Sequence, residues 1–316
     1  MSHAIERNED GTYCVAWSGE TPWHGLGQKV PSDLTPEQMM KKAGCDWSVE
    51  KQPMYRVVNG KHIEEESAMF LVRDKDNKVL DIVSKNWKPL QNEEAFNFFN
   101  DFVMAGNMEM HTAGSIKGGQ LVWALAKISD NVFVKGKDKI EQFLLFTNPH
   151  KFGQSIDVRF TSVRAVCQNT ISMALNGASS QFVKLSHRTQ FDAEAVKSIM
   201  DIAHLKSDSY LAAMDFLTEK KYTNDKLAEF FKTVYPVSEK RETSRYAEMA
   251  EGIIDQQPGA DMFPGTWYNA LQAVTFLNTH QVGREKENRL HSNWFGSAGK
   301  SSINAMNLAL DFANAA

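Results

Sequence analysis

Between positions 151 and 190 the sequence gathers Lys151, Arg159, Arg164, Lys184 and Arg188 against a single acid, Asp157. The chain as a whole carries a formal charge of −4, so this segment reverses the sign locally. Lysine and arginine concentrated on strands and helix starts is what contact with a phosphate backbone requires. Phe152, Phe160 and Phe182 are interleaved with these cations and offer ring faces on which unpaired bases stack. Arg159 and Arg164, five positions apart, face opposite sides of an unbroken strand. A bulge or strand end near Thr161 and Ser162 is needed to bring both to one groove. The bland alternative is a solvated basic face over core phenylalanines. A second basic group, Arg284, Lys286, Arg289 and Lys300 with His280 and His291, is diluted by Glu285 and Glu287.

Cys167 is the one thiol with a catalytic context. It lies in FTSVRAVCQNTISMAL at the predicted start of a helix, where the helix N-terminus lowers a thiol pKa. Asn169 would orient or stabilise, and His24 or His187 would serve as the base that such a nucleophile needs. Against this stands the buried cysteine that merely fills an apolar core. Histidines and cysteines form no HxH, HxxxH, HExxH or CxxC pair, so neither a metal nor a cofactor is predicted. GSAGKSS at 296–302 lacks the glycine that a phosphate loop places five positions before its Gly-Lys pair, because position 294 is Trp. A helix N-cap at Ser301 or Ser302 suits it better.

These residues need elements to hold them. Residues 1–50 are read as an irregular segment rich in Gly, Pro and Trp with one short helix, for which Thr35 is the cap, Pro36 the first position and Gly44 the stop. Residues 51–190 alternate strand-like runs with turn signals. Asn59-Gly60 marks one hairpin, KDNK a second, Lys117-Gly118-Gly119 a third and Asn148-Pro149 a fourth. A helix over 92–106, capped by Asn92, interrupts them, and a further helix is expected over Cys167–Leu175. From 191 to 316 the apolar residues recur at helical spacing. Strands first and helices after predict an α+β fold: an antiparallel sheet of hairpins with interposed helices, followed by a helical C-terminal part packed on that core.

The composition, 42% hydrophobic and 23% charged over 316 residues, is that of a folded chain. No apolar run reaches a membrane span and MSHAIERNEDGTY has no apolar stretch of the kind a secretory signal needs. Cys14, Cys45 and Cys167 are odd in number and widely spaced, which suits a reducing compartment.

At WHGLG (23–27), KNWKPLQNEEAF (85–96), GGQLVWALAKI (118–128), LLFTNPH (144–150), VRFTSVRAVCQNTISMAL (158–175) and GTWYNALQAVTFLNTH (265–280) the chain resembles the phage- and plasmid-like proteins grouped under domain of unknown function 932. The resemblance implies a mobile-element origin and a cytoplasmic setting in a bacterial host. It brings no catalytic residues. The order of hairpins, helix and basic strand is compatible, by analogy of fold, with the Rad52-like single-strand annealing proteins. The expectation is a non-enzymatic, self-associating protein that binds DNA, single strands favoured. On that reading Lys151, Arg159, Arg164, Lys184 and Arg188 contact phosphates, Phe152 or Phe160 stacks a base, and Trp23 and His24 cap the site or a subunit contact. A cysteine enzyme built on Cys167 and a host-interaction protein that blocks a defence complex are the alternatives.

Overall fold

The computed structural model describes residues 5–8, 10–19, 22, 25–128, 132–164, 170–172, 182–189, 191–237, 244–283 and 289–315. Trp23, His24, Cys167 and Asn169, singled out by the sequence, lie outside the described residues, as do Arg284 and Lys286.

Strands β1 (Val15–Trp17) and β2 (Gln28–Lys29) precede α1 (Pro36–Lys42). Thr35 accepts from the Gln38 N–H and Gln38 returns the bond to the Thr35 N–H, so α1 starts on a complete capping box. β3 (Val49–Val58), β4 (Lys61–Arg73) and β5 (Lys78–Ser84) form an antiparallel three-stranded sheet. Asn59 and Gly60 both take left-handed backbone angles at the β3–β4 turn, the geometry that Asn-Gly supplies cheaply. The tip of this hairpin stands clear of the body, with Tyr55, Val57, Val58 and Ile63 exposed.

The helix expected over 92–106 is two, α2 (Asn92–Asn97) and α3 (Asn100–Met104), and the cap is Gln91 rather than Asn92. Phe98 and Phe99 between them are both buried. Asn92 instead donates to the carbonyls of Cys45 and Trp47 from inside the core.

β6 (Met108–Ile116), β7 (Leu121–Ile128), β8 (Val132–Val134), β9 (Asp138–Pro149), β10 (Ile156–Arg164), β11 (Thr170–Ser172) and β12 (Phe182–Leu185) complete a second sheet ordered β11-β10-β9-β7-β6-β1-β2, in which β12 also pairs with β10 and β8 with β9. β12 covers the first half of β10 and β11 the second half. Two expectations are corrected here. β9 runs through Asn148 and Pro149, and the chain turns at 150–155, because the Asn148 amide is occupied by the Leu90 carbonyl and the Asn92 side chain. Thr170–Ser172 is strand, not helix: the uncovered half of β10 gives these residues a ladder to join.

The chain then turns helical: α4 (Ala193–Glu219), α5 (Asn224–Val234), α6 (Arg245–Ile253), α7 (Trp267–His280), α8 (Arg289–Phe295) and α9 (Ser297–Asn314). α7 is buried along almost its whole length and forms the axis of this half. Tyr268 on α7 donates to Asp138 at the start of β9 (2.8 Å), and Ser162 on β10 donates to Tyr210 on α4 (3.2 Å). The main apolar core runs from Ala16 through the strands to Ala313, and a smaller cluster gathers Val15, Trp123, Leu145 and Trp294. The fold is thus α+β, with antiparallel pairing throughout the described ladders except the short parallel β1–β2 pair, and a helical C-terminal part. Among the described residues no helix is long and apolar enough to cross a membrane.

Candidate functional site

β10, the turn that precedes it, β12, α8 and the first turn of α9 enclose a half-open cleft of about 530 Å³. Its charged and aromatic lining comes from Asp157, Arg159, Lys184, His291, Trp294 and Lys300. Asp157 and Arg159 stand two apart on β10 and so share a face. The Arg159 Nε donates to Asp157 Oδ1 at 2.6 Å, its Nη2 to Oδ2, and its Nη1 to the Trp294 carbonyl at 2.9 Å. Arg159 is therefore a brace between sheet and α8 and presents a paired charge to the cleft. Lys184 sits opposite Asp157 in the β10–β12 ladder and is exposed.

The α8–α9 corner explains GSAGKSS. Gly296 is the N-cap of α9, so Ser301 and Ser302 lie inside the helix and neither is the cap expected of them. Ser302 is buried and accepts from the Asn278 amide at 2.9 Å. A Cβ on Gly299 would stand 2.3 Å from the Asn293 carbonyl oxygen, backbone that cannot swing aside. The glycines serve close helix approach, and that approach carries Lys300 to the cleft. Gly299→Ala is expected to cost about 1–3 kcal/mol by overpacking, read as a lowered midpoint in urea unfolding.

Other expected contacts fall differently. The β9–β10 ladder shows no register shift from Asp157 to Arg164, so the bulge that would bring Arg159 and Arg164 together is absent; the Arg164 side chain lies outside the described set. Phe160 is 5% exposed and packs in the core, which rules it out as a stacking face. Phe152 is 56% exposed on the turn that forms one wall, with its N–H pinned by Asp81 at 2.8 Å. Phe182 lies on β12, its side chain outside the described set. Lys151, half-buried beside Phe152, reaches Gln120 Oε1 at 3.4 Å. Arg188 is exposed in the turn after β12 and does not line the cleft. His187 is buried, stacks on Trp87 with ring centroids 4.1 Å apart, and bonds the Lys88 carbonyl; burial lowers its pKa.

The free thiols Cys14 and Cys45 are buried. Burial pushes the Cys14 pKa up to about 11 and that of Cys45 well above its ordinary value, the opposite of nucleophile activation. Among the described residues no group of three or more His, Cys, Asp or Glu is placed to hold a metal.

The family model described as a domain of unknown function, DUF932, matches residues 79–294, more than half of the chain. The chain belongs to this family. The DUF932 span runs from β5 to Trp294 on α8, so it includes the Arg159 brace, Lys184 and His291 and stops just before the glycine corner that presents Lys300. No curated protein and no solved structure gives a significant match.

Sequence reasoning missed Lys117 and undervalued His291. Lys117 was legible only as part of a Lys-Gly-Gly turn, yet its Nζ lies 3.2 Å from His291 Nε2. Burial first, then the charges of Lys117 and Lys151, lower the His291 pKa to about 4. The imidazole is neutral at pH 7 and accepts a hydrogen bond from the lysine.

Proposed function

We propose that this chain is a non-enzymatic nucleic-acid-binding protein of a phage, prophage or plasmid, which holds single-stranded DNA in the cleft during recombination or replication in a bacterial cytoplasm. The observation that carries the reading is the convergence of Lys184, Lys300 and His291 on one cleft in which the lining acid Asp157 holds Arg159. Lysines that meet on one groove attract a polyanion and bind it with release of its counterions. The exposed ring of Phe152 on the adjoining turn supplies a face for an unstacked base. The annealing branch of the proposal rests on analogy: antiparallel hairpins with interposed helices are compatible with a Rad52-like arrangement. Self-association belongs to the same reading, since a ring or filament repeats a modest groove and multiplies its hold on one strand. The projecting β3–β4 tip, with Tyr55, Val57 and Ile63 exposed, is apolar surface available for that contact.

The test is a gel shift with single- and double-stranded oligonucleotides across a salt series, paired with light scattering for mass. Affinity is expected to fall steeply with salt. Lys184→Ala with Lys300→Ala should weaken binding at least about tenfold, since two phosphate contacts are lost. Phe152→Ala should cost about 1–3 kcal/mol on single strands and much less on duplex. A folded double variant with undiminished affinity would overturn the assignment.

A further inference from the structure

At one end of the cleft three basic side chains from three separate elements crowd together. Lys117 comes from the β6–β7 turn, Lys151 from the start of the β9–β10 turn, and His291 from α8; all three are half-buried. Lys117 Nζ stands 3.2 Å from His291 Nε2, and Lys151 Nζ reaches Gln120 Oε1, at the end of the same β6–β7 turn, at 3.4 Å. Lys78 reaches the same β6–β7 turn, where its Nζ donates to the Gly118 carbonyl at 2.9 Å. Two carboxylates of this region have described partners: Asp157 holds Arg159, and Asp81 accepts the Phe152 N–H.

An arrangement of like charges of this kind is unfavourable as it stands. Burial and Lys151 both pull the Lys117 pKa down. The structure thus holds two ammonium groups in one neighbourhood, an arrangement that a bound anion relieves.

We propose that Lys117, Lys151 and His291 form a subsite for a phosphate dianion, and that in the nucleic acid bound by the cleft it takes a terminal phosphomonoester in preference to an internal phosphodiester. The proposal deepens the nucleic-acid reading above and rests on it for the identity of the ligand. A monoester carries close to two charges near neutral pH and a diester one, so two ammonium groups discriminate between them. His291 stays neutral, accepts from Lys117 through Nε2 and so orients that ammonium. Lys117, already within reach of the imidazole, would turn its remaining N–H bonds to the phosphate oxygens.

The experiment compares fluorescent single strands of one sequence bearing a 5′-phosphate, a 3′-phosphate or only hydroxyl ends, measured by anisotropy at fixed salt. Thymidine 5′-monophosphate and inorganic phosphate serve as small probes in calorimetry. One phosphorylated end is expected to bind about tenfold more tightly than the hydroxyl end, the scale of one or two charge-assisted hydrogen bonds. Lys117→Gln should abolish most of that preference while leaving hydroxyl-ended binding nearly intact, and Lys151→Gln should reduce the preference as well. Both variants relieve repulsion, so thermal unfolding should show the fold retained. Equal affinity for all three ends overturns the subsite and leaves the cleft reading standing. If no oligonucleotide binds but the mononucleotide binds in a Lys117-dependent way, the subsite stands and the nucleic-acid reading fails. Absence of binding by every probe ends both.

Discussion

Arg73→Leu is expected to lower the unfolding free energy by about 3–5 kcal/mol, the loss that follows when one partner of a buried ion pair is removed. Arg73 ends β4 with a side chain only 7% exposed, and its Nη1 donates to Glu6 Oε1 at 2.7 Å. Its Nε and Nη2 hold the two oxygens of Asp76 at 2.9 and 2.7 Å, and its guanidinium lies 5.0 Å from the Trp47 ring centre. Ser115 on β6 donates to the other Glu6 oxygen at 2.8 Å. This network ties the three-stranded sheet to the N-terminal segment and the larger sheet. Without Arg73, Glu6 would remain buried with Ser115 as its sole hydrogen-bond partner of this network. Urea unfolding followed by tryptophan fluorescence checks the figure. Glu6→Gln combined with Arg73→Met should recover part of the loss, because the stranded charge is then gone. A single Arg73→Leu change worth under 1 kcal/mol would mean that solvent reaches the network.

What the sequence discloses and what it withholds divide along the range of the interaction. Asn59-Gly60, the Thr35-Pro36 helix start and the amphipathic runs after residue 191 are local signals, and the elements stand where those signals place them. Asn148-Pro149 is equally strong as a local turn signal, yet it lies within β9 because partners at Leu90 and Asn92, distant in sequence, claim its amide. Phe160 and Phe152 have the same composition-level appeal as stacking rings; only the register of β10 in a covered sheet buries the first and only a turn exposes the second. For Arg159 the decisive information was present in the sequence, since an acid two positions away on a strand shares its face. Convergence is another matter. Lys117, Lys151 and His291 belong to two hairpin turns and a late helix, and no spacing rule links them.

Acid should destabilise this fold well before its carboxylates titrate. Burial, with the neighbouring charges of His187 and Arg73, lowers the His150 pKa to about 3. Burial likewise lowers that of His111 to about 4, with Glu141 acting against the shift and Lys127 reinforcing it. The His150 case has a clear cause. Asn92 spends its amide donors on the Cys45 and Trp47 carbonyls, so its oxygen accepts from His150 Nε2 at 2.9 Å, leaving Nδ1 buried without a partner among the described residues. Protonation there would create both a buried charge and an orphan N–H. In the unfolded chain both histidines take up protons near pH 6.5. Between that pH and about 4 the unfolded state therefore binds more protons than the native one, and stability falls as pH falls. Each histidine loses about 2–3 kcal/mol on going from pH 7 to 4.5, so the pair removes about 5 kcal/mol, as much as an entire marginal stability. Asp76, held at about 2 by Arg73, adds a loss in the same direction only at lower pH. Urea midpoints from pH 7 to 4.5 measure the slope. His150→Gln, whatever its cost at pH 7, should reduce that slope by about one proton. A variant with the wild-type slope would place the acid sensitivity elsewhere.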